Sequence, residues 1–294
     1  MTTINLALAG GGLKSYAQIG VLYELEKQNI QINAVSGTSM GSCIAALVAL
    51  DLDAKTIEKE MLEMEAFFQE NRIFYKPSLK ILPFTDDKIE GGYIDGLIIE
   101  QKLEALFAKY GATSIQDVKK PLAITAVDLT TGDLVVFVSD KKHYKSVDKK
   151  HKVDSDITLA KAVRASSSIP FVFSHVTYKD YTLVDGGVRL NVPLPLLKGY
   201  SNHKTLAVTT KKEIEPLEKT NLFSLALQVY NINSNEFDLY IAKEADFYMN
   251  IPLGRLQFSV GKGKEIIEKS KAYVKENNYI EAINKNASLL DKLF

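Results

Sequence analysis

The sequence predicts an α/β fold in which a mainly parallel central sheet is flanked by helices. Three observations lead to that class. The stretch "INLALAG" (4–10) is a short apolar run of β type stopped by three glycines, and "YAQIGVLYELEKQ" (16–28) then places Ile19, Leu22 and Leu25 at helical spacing. The same unit recurs at once, with "INAVSG" (32–37) as the strand and a helix from about 40 to 50. A late strand, "LAVTT" (206–210), follows the middle of the chain. Successive strand-to-helix units need crossover helices, which join parallel strands and cover the sheet.

The other elements follow in order. "TIEKEMLEMEAFF" (56–68) and "GLIIEQKLEALFAKYG" (96–111) are amphipathic helices, and Gly111 closes the second because glycine readily takes the left-handed turn that ends a helix. "PLAITAVDL" (121–129) and "LVVFVS" (134–139) read as strands joined by the turn "TTGD". "TLAKAVRASSS" (158–168) is helical until Pro170 halts it, and "YTLVDGG" (181–187) carries an apolar strand into Asp-Gly-Gly. "LFSLALQVYNI" (222–232) and "SKAYVKENN" (270–278) make the C-terminal third mainly helical. The mixed-charge stretch "DKKHYKSVDKKHKVD" (140–154) is expected as an exposed loop. With no internal repeat or low-complexity linker, residues 1–294 are expected to form a single domain: a core over 5–200, completed by 201–294.

The 294 residues are 46% hydrophobic and 24% charged, which suits a globular chain able to bury a large core. Lys plus Arg equals Asp plus Glu at 36 each, so no global field draws the chain to nucleic acid or an anionic membrane. Nucleic-acid binding would also want a broad basic surface with stacking rings, whereas the charged stretch offers only Tyr144. "MTTINLALAGGG" lacks the basic and apolar regions of a secretory signal, and the longest apolar run, "CIAALVAL", has 8 residues. Spanning a bilayer takes about 20. The expected location is therefore cytoplasmic. The single cysteine, Cys43, permits no internal disulfide and reads as a small buried helix residue.

Three features could carry chemistry. Gly37-Thr38-Ser39-Met40-Gly41 fits G-x-S-x-G, where a tight strand-to-helix turn strains the serine and flanking glycines let the chain pass close by. Gly10-Gly11-Gly12-Leu13-Lys14 opens the first helix, so its N–H groups can aim at an anion. That anion could be the oxyanion of a tetrahedral intermediate or a nucleotide phosphate; a purely structural turn is the third reading. A dinucleotide fingerprint would need glycine where Ser15 stands. Asp185, at a strand end before Gly186, is the strongest candidate base. An exposed aspartate, with a pKa of about 3.9, is a poor match for a hydroxyl proton, and burial in a water-poor cleft raises its basicity. Of the four histidines, His143 and His151 lie in the charged stretch and His175 follows "PFVFS"; His203 alone follows Asp185 in the order of α/β-hydrolases. It sits in a polar turn that favours a solvated side chain.

"GGGLK" with its helix, "GTSMG" at the turn, and "VDGG" followed by "VRLNVP" stand in one order, and together they resemble the patatin-like phospholipase family. "AVRASSSIPFVF" (162–173) and "PLAITAVDLTTGDLVVF" (121–137) extend the resemblance over about residues 5–200. It implies a three-layer α/β fold and a Ser-Asp dyad acting without histidine. By motif matching, Ser39 takes the nucleophile's place and Asp185 the base's. Gly10, Gly11 and Gly12 take the oxyanion loop, Lys14 its basic position, and Gly37, Gly41 and Gly186 support the turns. Ser15 departs from the family, which commonly has glycine there.

The expected reaction is acyl-ester hydrolysis through an acyl-serine, with a lipid or other ester as substrate. No His/Cys cluster or carboxylate loop has metal-binding spacing, so neither metal nor cofactor is expected. A transacylase using the same acyl-enzyme, and a non-catalytic regulatory or nucleotide-binding protein with a structural glycine loop, are the alternatives. "FFQENRIFYKPSLKILPF" (67–84) interleaves aromatics with Arg72, Lys76 and Lys80 and could touch a lipid interface transiently or cover an acyl channel. Its lack of a clean helical period favours an ordinary partly buried connector over either role.

Overall fold

The first strand alternates two sizes of apolar side chain, and this alternation assigns the faces of the sheet. Ile4, Leu6 and Leu8 enter one core cluster, whereas Ala7 and Ala9 enter another. The structure, a computed structural model, describes residues 2–74, 92–210, 222–253 and 260–290. Its elements run β1 (Thr3–Leu8), α1 (Ala17–Lys27), β2 (Gln31–Gly37), α2 (Met40–Ala49), α3 (Ala54–Glu70), β3 (Gly92–Ile94), α4 (Leu97–Ala108), β4 (Leu122–Asp128) and β5 (Leu134–Val138). Then come β6 (Lys152–Asp154), α5 (Leu159–Ser166), β7 (Phe171–Phe173), β8 (Val176–Tyr178), β9 (Tyr181–Asp185), α6 (Leu194–Leu197) and β10 (Thr205–Thr210). Helix α7 (Leu222–Ala242), β11 (Phe247–Ile251), α8 (Gly263–Glu276) and α9 (Tyr279–Leu290) complete the order.

The main sheet has the order β11-β10-β1-β2-β4-β5-β6, parallel from β11 through β4. β5 turns back antiparallel on β4 through the "TTGD" turn, where Gly132 has φ +75°. The large side chains of one face meet α1 to α5 and α8. The opposite face is lined by Ala7, Ala34, Ala123 and Ala207, and these small residues leave room for Leu194, Leu196 and Leu197 of α6 to pack close. The result is three layers, helix on sheet on helix.

Three readings change in detail. The C-terminal third carries β11, which pairs in parallel with β10 and extends the sheet, so that third is not helix alone. The charged stretch is mostly exposed, yet Tyr144 is buried against Tyr200 and residues 152–154 form β6 beside β5. In the aromatic segment, Phe68 and Ile73 join the core and Phe74 packs edge-on against Phe68 and Phe173, so 67–74 behaves as the connector. Residues 75–84 of that segment lie outside the described residues.

Candidate active site

Two strand ends meet on one edge of β4. β5 fills the other edge from Ala123 to Val127, so β2, paired with Leu122–Ile124, and β9, paired with Ala126–Asp128 in the opposite sense, must share the remaining edge. Their C-terminal ends therefore point at each other across Thr125. Ser39 follows β2, Asp185 ends β9, and the Ser39 hydroxyl donates to Asp185 Oδ2 at 2.6 Å with both residues buried. A short hydroxyl-to-carboxylate bond of this length is charge-assisted. The other carboxylate oxygen, Oδ1, accepts from the Gly187 N–H at 2.7 Å, which fixes the plane of the group.

The serine sits where strand gives way to helix, with φ 53° and ψ −134°, a conformation that residues with a side chain adopt only under constraint. The constraint is visible on both sides. A side chain at Gly37 would approach the Ser42 Cα to 2.5 Å, and one at Gly41 would approach the Leu8 and Ala9 carbonyl oxygens to 2.5 Å. The turn at Ser39 is thus pressed directly onto the end of β1, where the glycine loop begins. A side chain at Gly186 would approach Thr125 Oγ1 to 2.0 Å, while that hydroxyl bonds Thr38 Oγ1 at 2.7 Å and ties the two turns together.

In the glycine loop the three residues do different work. The Gly10 N–H donates to the Asn191 carbonyl at 3.2 Å, so it is spent within the fold, and Gly10 lies so close to Ser39 that an added Cβ would stand 3.0 Å from the serine Cβ. Gly11 is enclosed by the hydroxyls of Thr210 and Ser15, and Gly12 has φ +56°. This leaves the Gly11 and Gly12 N–H groups as the loop's candidate donors. Lys14 and Ser15 are fully buried in the short 3-10 turn that follows. Ser15, the departure from the family pattern, places its hydroxyl beside Gly11, where it finds no hydrogen-bond partner among the described residues.

Several residues that hold the site carry no motif of their own. The Ser39 N–H donates to Ser166 Oγ at 2.9 Å, and the Asp185 N–H donates to the Ser168 carbonyl at 2.9 Å. The end of α5 therefore grips both partners of the pair. Arg164 braces that end: its buried guanidinium donates to the Gly96 carbonyl at 3.0 Å, to the Ser174 carbonyl at 2.8 Å and to Ser168 Oγ. Burial lowers its pKa to about 10, with Glu100 and Asp95 opposing, so it stays charged at neutral pH. The cue in the sequence was "RASSS", three small hydroxyl residues closing a helix whose charged member faces inward.

The histidine alternative fails on position. His203 Nδ1 bonds Ser201 Oγ at 2.9 Å, and Ser201 in turn meets Asn5 and Asn33 at the beginnings of β1 and β2, the end of the sheet opposite Ser39. His143 is engaged by Asp140 at 2.6 Å in the charged stretch. Cys43 is buried and its thiol is pushed up to about 12 by that burial, which keeps it protonated and unreactive.

Residues 6–198 match the family described as patatin-like phospholipase. The chain is 30% identical to an uncharacterized protein of Bacillus subtilis, YqhO, over 74% of this chain and 75% of that one. It is 26% identical to an uncharacterized NTE family protein of Mycobacterium bovis over 73% of this chain, spanning 31% of that relative's length. Among solved structures it resembles VipD from Legionella pneumophila, with a TM-score of 0.50 and 11% identity over 97% of this chain and 67% of that one, a likeness of fold alone. The match across two thirds of the sequence and the mainly parallel three-layer architecture converge, and the chain belongs to the patatin-like phospholipase family.

Proposed function

We propose that this protein hydrolyses carboxylic esters of lipids through a covalent acyl-serine. Family membership supports lipid hydrolysis in general; the residues and steps are our reading. The observation that carries it is the 2.6 Å bond from the Ser39 hydroxyl to Asp185, made where a strained turn and a strand end converge. Asp185 takes the hydroxyl proton as Ser39 Oγ attacks the ester carbonyl, and no imidazole relay is required. The oxyanion forms beside the Gly11 and Gly12 N–H groups, where each donor contributes about 3 kcal/mol to lowering the barrier. The positive end of α2, which begins at Met40, favours the same developing charge. The proton passes to the leaving alcohol, and water activated by Asp185 then releases the acid.

Intact-mass detection of a fluorophosphonate adduct tests this. One adduct is expected on the parent chain, none on Ser39→Ala, and a strongly slowed reaction on Asp185→Asn, whereas His203→Ala should label as the parent does. An adduct that survives Ser39→Ala, or a His203→Ala defect as large as that of Asp185→Asn, would overturn the dyad.

A further inference from the structure

We infer that the end of the sheet opposite Ser39 carries a binding cleft for a phosphate-bearing anion. Basic and acidic residues balance at 36 each over the whole chain, so a local surplus of one sign depends on where the fold gathers them.

The antiparallel pairing of β4 with β5 sets Ala123 opposite Val138, which brings the chain entering β4 beside the chain leaving β5. Each of those passages carries two consecutive lysines, Lys119 and Lys120 on one, Lys141 and Lys142 on the other. All four line a single cleft of about 690 Å³, a size common among small-molecule sites. Its base is laced by Ser139, whose hydroxyl accepts the Leu122 N–H at 2.9 Å and whose N–H donates to the Leu122 carbonyl at 3.0 Å. A third wall is set by Gln116, whose amide donates to the Ser155 carbonyl at 2.8 Å. The N–H groups of Lys119 and Lys120 both donate to the Ala49 carbonyl, at 2.9 and 3.0 Å, so one lysine pair is fixed to the last residue of α2. Ser39 immediately precedes that helix, and its length sets the cleft about 15 Å from the serine.

The neighbouring carboxylates are already engaged. Asp51 pairs with Lys120 at 2.6 Å, and Asp140, the one acidic residue of the lining, holds His143 Nδ1 at 2.6 Å. Asp117 accepts the Thr113 and Ser114 N–H groups at 2.8 and 2.7 Å, while Asp154 pairs with Lys179 at 2.6 Å and lies farther from Lys141, at 3.8 Å. Among the described residues this leaves Lys119 and Lys142, one from each passage, without a carboxylate in ion-pair reach. Like charges held around one cleft repel, and an anion between them relieves that repulsion. The lining narrows the chemistry of the anion. An ammonium is a compact point charge that suits the clustered oxygens of a phosphate, and no arginine is present to offer the planar fork that pairs with a carboxylate. Val118 and Pro121 are the apolar residues of the lining, and no aromatic ring joins them. Neither an acyl chain nor a stacked base has a surface to rest on, so recognition falls on the phosphate itself, free or as a lipid headgroup.

Two probes test the cleft. Isothermal titration with pyrophosphate at low ionic strength compares the parent chain with a Lys119→Gln/Lys142→Gln double variant, which removes the two uncompensated charges. Saturable binding by the parent is expected, weakening as salt is raised, with the variant binding about tenfold or more weakly. Lys264→Gln/Lys275→Gln removes the same charge from exposed positions on α8 and should bind as the parent does. All four lysines are exposed, so both variants should keep the parent's melting temperature and a loss of binding reports the charge. Sedimentation with phosphatidylcholine vesicles, with and without phosphatidic acid, separates the two sources of phosphate. Capture by the acidic vesicles that is lost in the cleft variant, without pyrophosphate binding, assigns a lipid headgroup; pyrophosphate binding without capture assigns the free anion. Failure of the parent to bind either probe would overturn the site, and so would equal binding by parent and cleft variant or an equal loss in the α8 variant.

Discussion

Ser166 shows how a residue with no chemistry of its own can hold the proposed nucleophile in place. Its hydroxyl accepts the Ser39 N–H at 2.9 Å in a buried setting, so Ser166→Ala would leave that donor unsatisfied at a cost of about 1–3 kcal/mol. Because the N–H belongs to the strained turn, relaxation would swing the hydroxyl away from Asp185. The expected outcome for short-ester hydrolysis is a kcat lowered about tenfold or more with KM little changed, as befits loss of positioning in the transition state. A matching rise in KM would show that Ser166 instead shapes the acyl site. At this scale Ser39, Asp185 and the glycines around them were legible because their residue types are dictated by backbone crowding that leaves a mark in the sequence. Ser166 and Asn191 were not, since a hydroxyl or an amide satisfies a backbone group at hundreds of sites and only the fold shows which.

Among the described side chains, Asp238 and Asn191 link helix α7 to the glycine loop. Asp238 accepts from the Asn191 amide at 2.6 Å, and the same amide donates to the Gly10 carbonyl at 3.3 Å, so the helix sets the loop's height above Ser39. Asp238→Ala would leave the amide free to turn, and the expected result is a fall in kcat on a soluble ester of about an order of magnitude, roughly 1.4 kcal/mol. Asp238→Asn keeps an acceptor oxygen in the same place and should restore most of the rate; failure of that rescue would mean that the negative charge, rather than the hydrogen bond, is what the loop requires. The helix itself was legible from its apolar spacing, but its bearing on the loop was not. Strands such as β3, β6, β7 and β8, three residues each, were equally hidden, because period-two alternation cannot be read in so short a run.

At the scale of the whole molecule, the far edge of the sheet is fastened by short strands and a carboxylate that packs beside the core. Asp154 ends β6 and accepts from Lys179 Nζ at 2.6 Å, from the Ser155 N–H at 2.8 Å and from the Tyr178 hydroxyl at 3.0 Å, so it fastens β6 to the β8–β9 hairpin that carries Asp185. Burial alone would raise its pKa, but these donors prevail and hold it down at about 2. A carboxyl lowered in the folded state stabilises fully above its unfolded value, near 3.8, and loses that contribution as pH falls from there toward 2. With one flank open to solvent, the contribution at neutral pH is about 1–2 kcal/mol. Asp154→Asn should accordingly unfold at lower urea than the parent at pH 7, and the gap should narrow as the pH is brought from 5 to about 3. A gap of the same size at both ends would assign the effect to packing of the side chain and not to its charge. The sequence showed "DKKHYKSVDKKHKVD" only as mixed charge, six lysines to three aspartates, and that mixture hid its role: an aspartate among lysines reads as solvated surface until the fold brings Tyr178 and Lys179 against it.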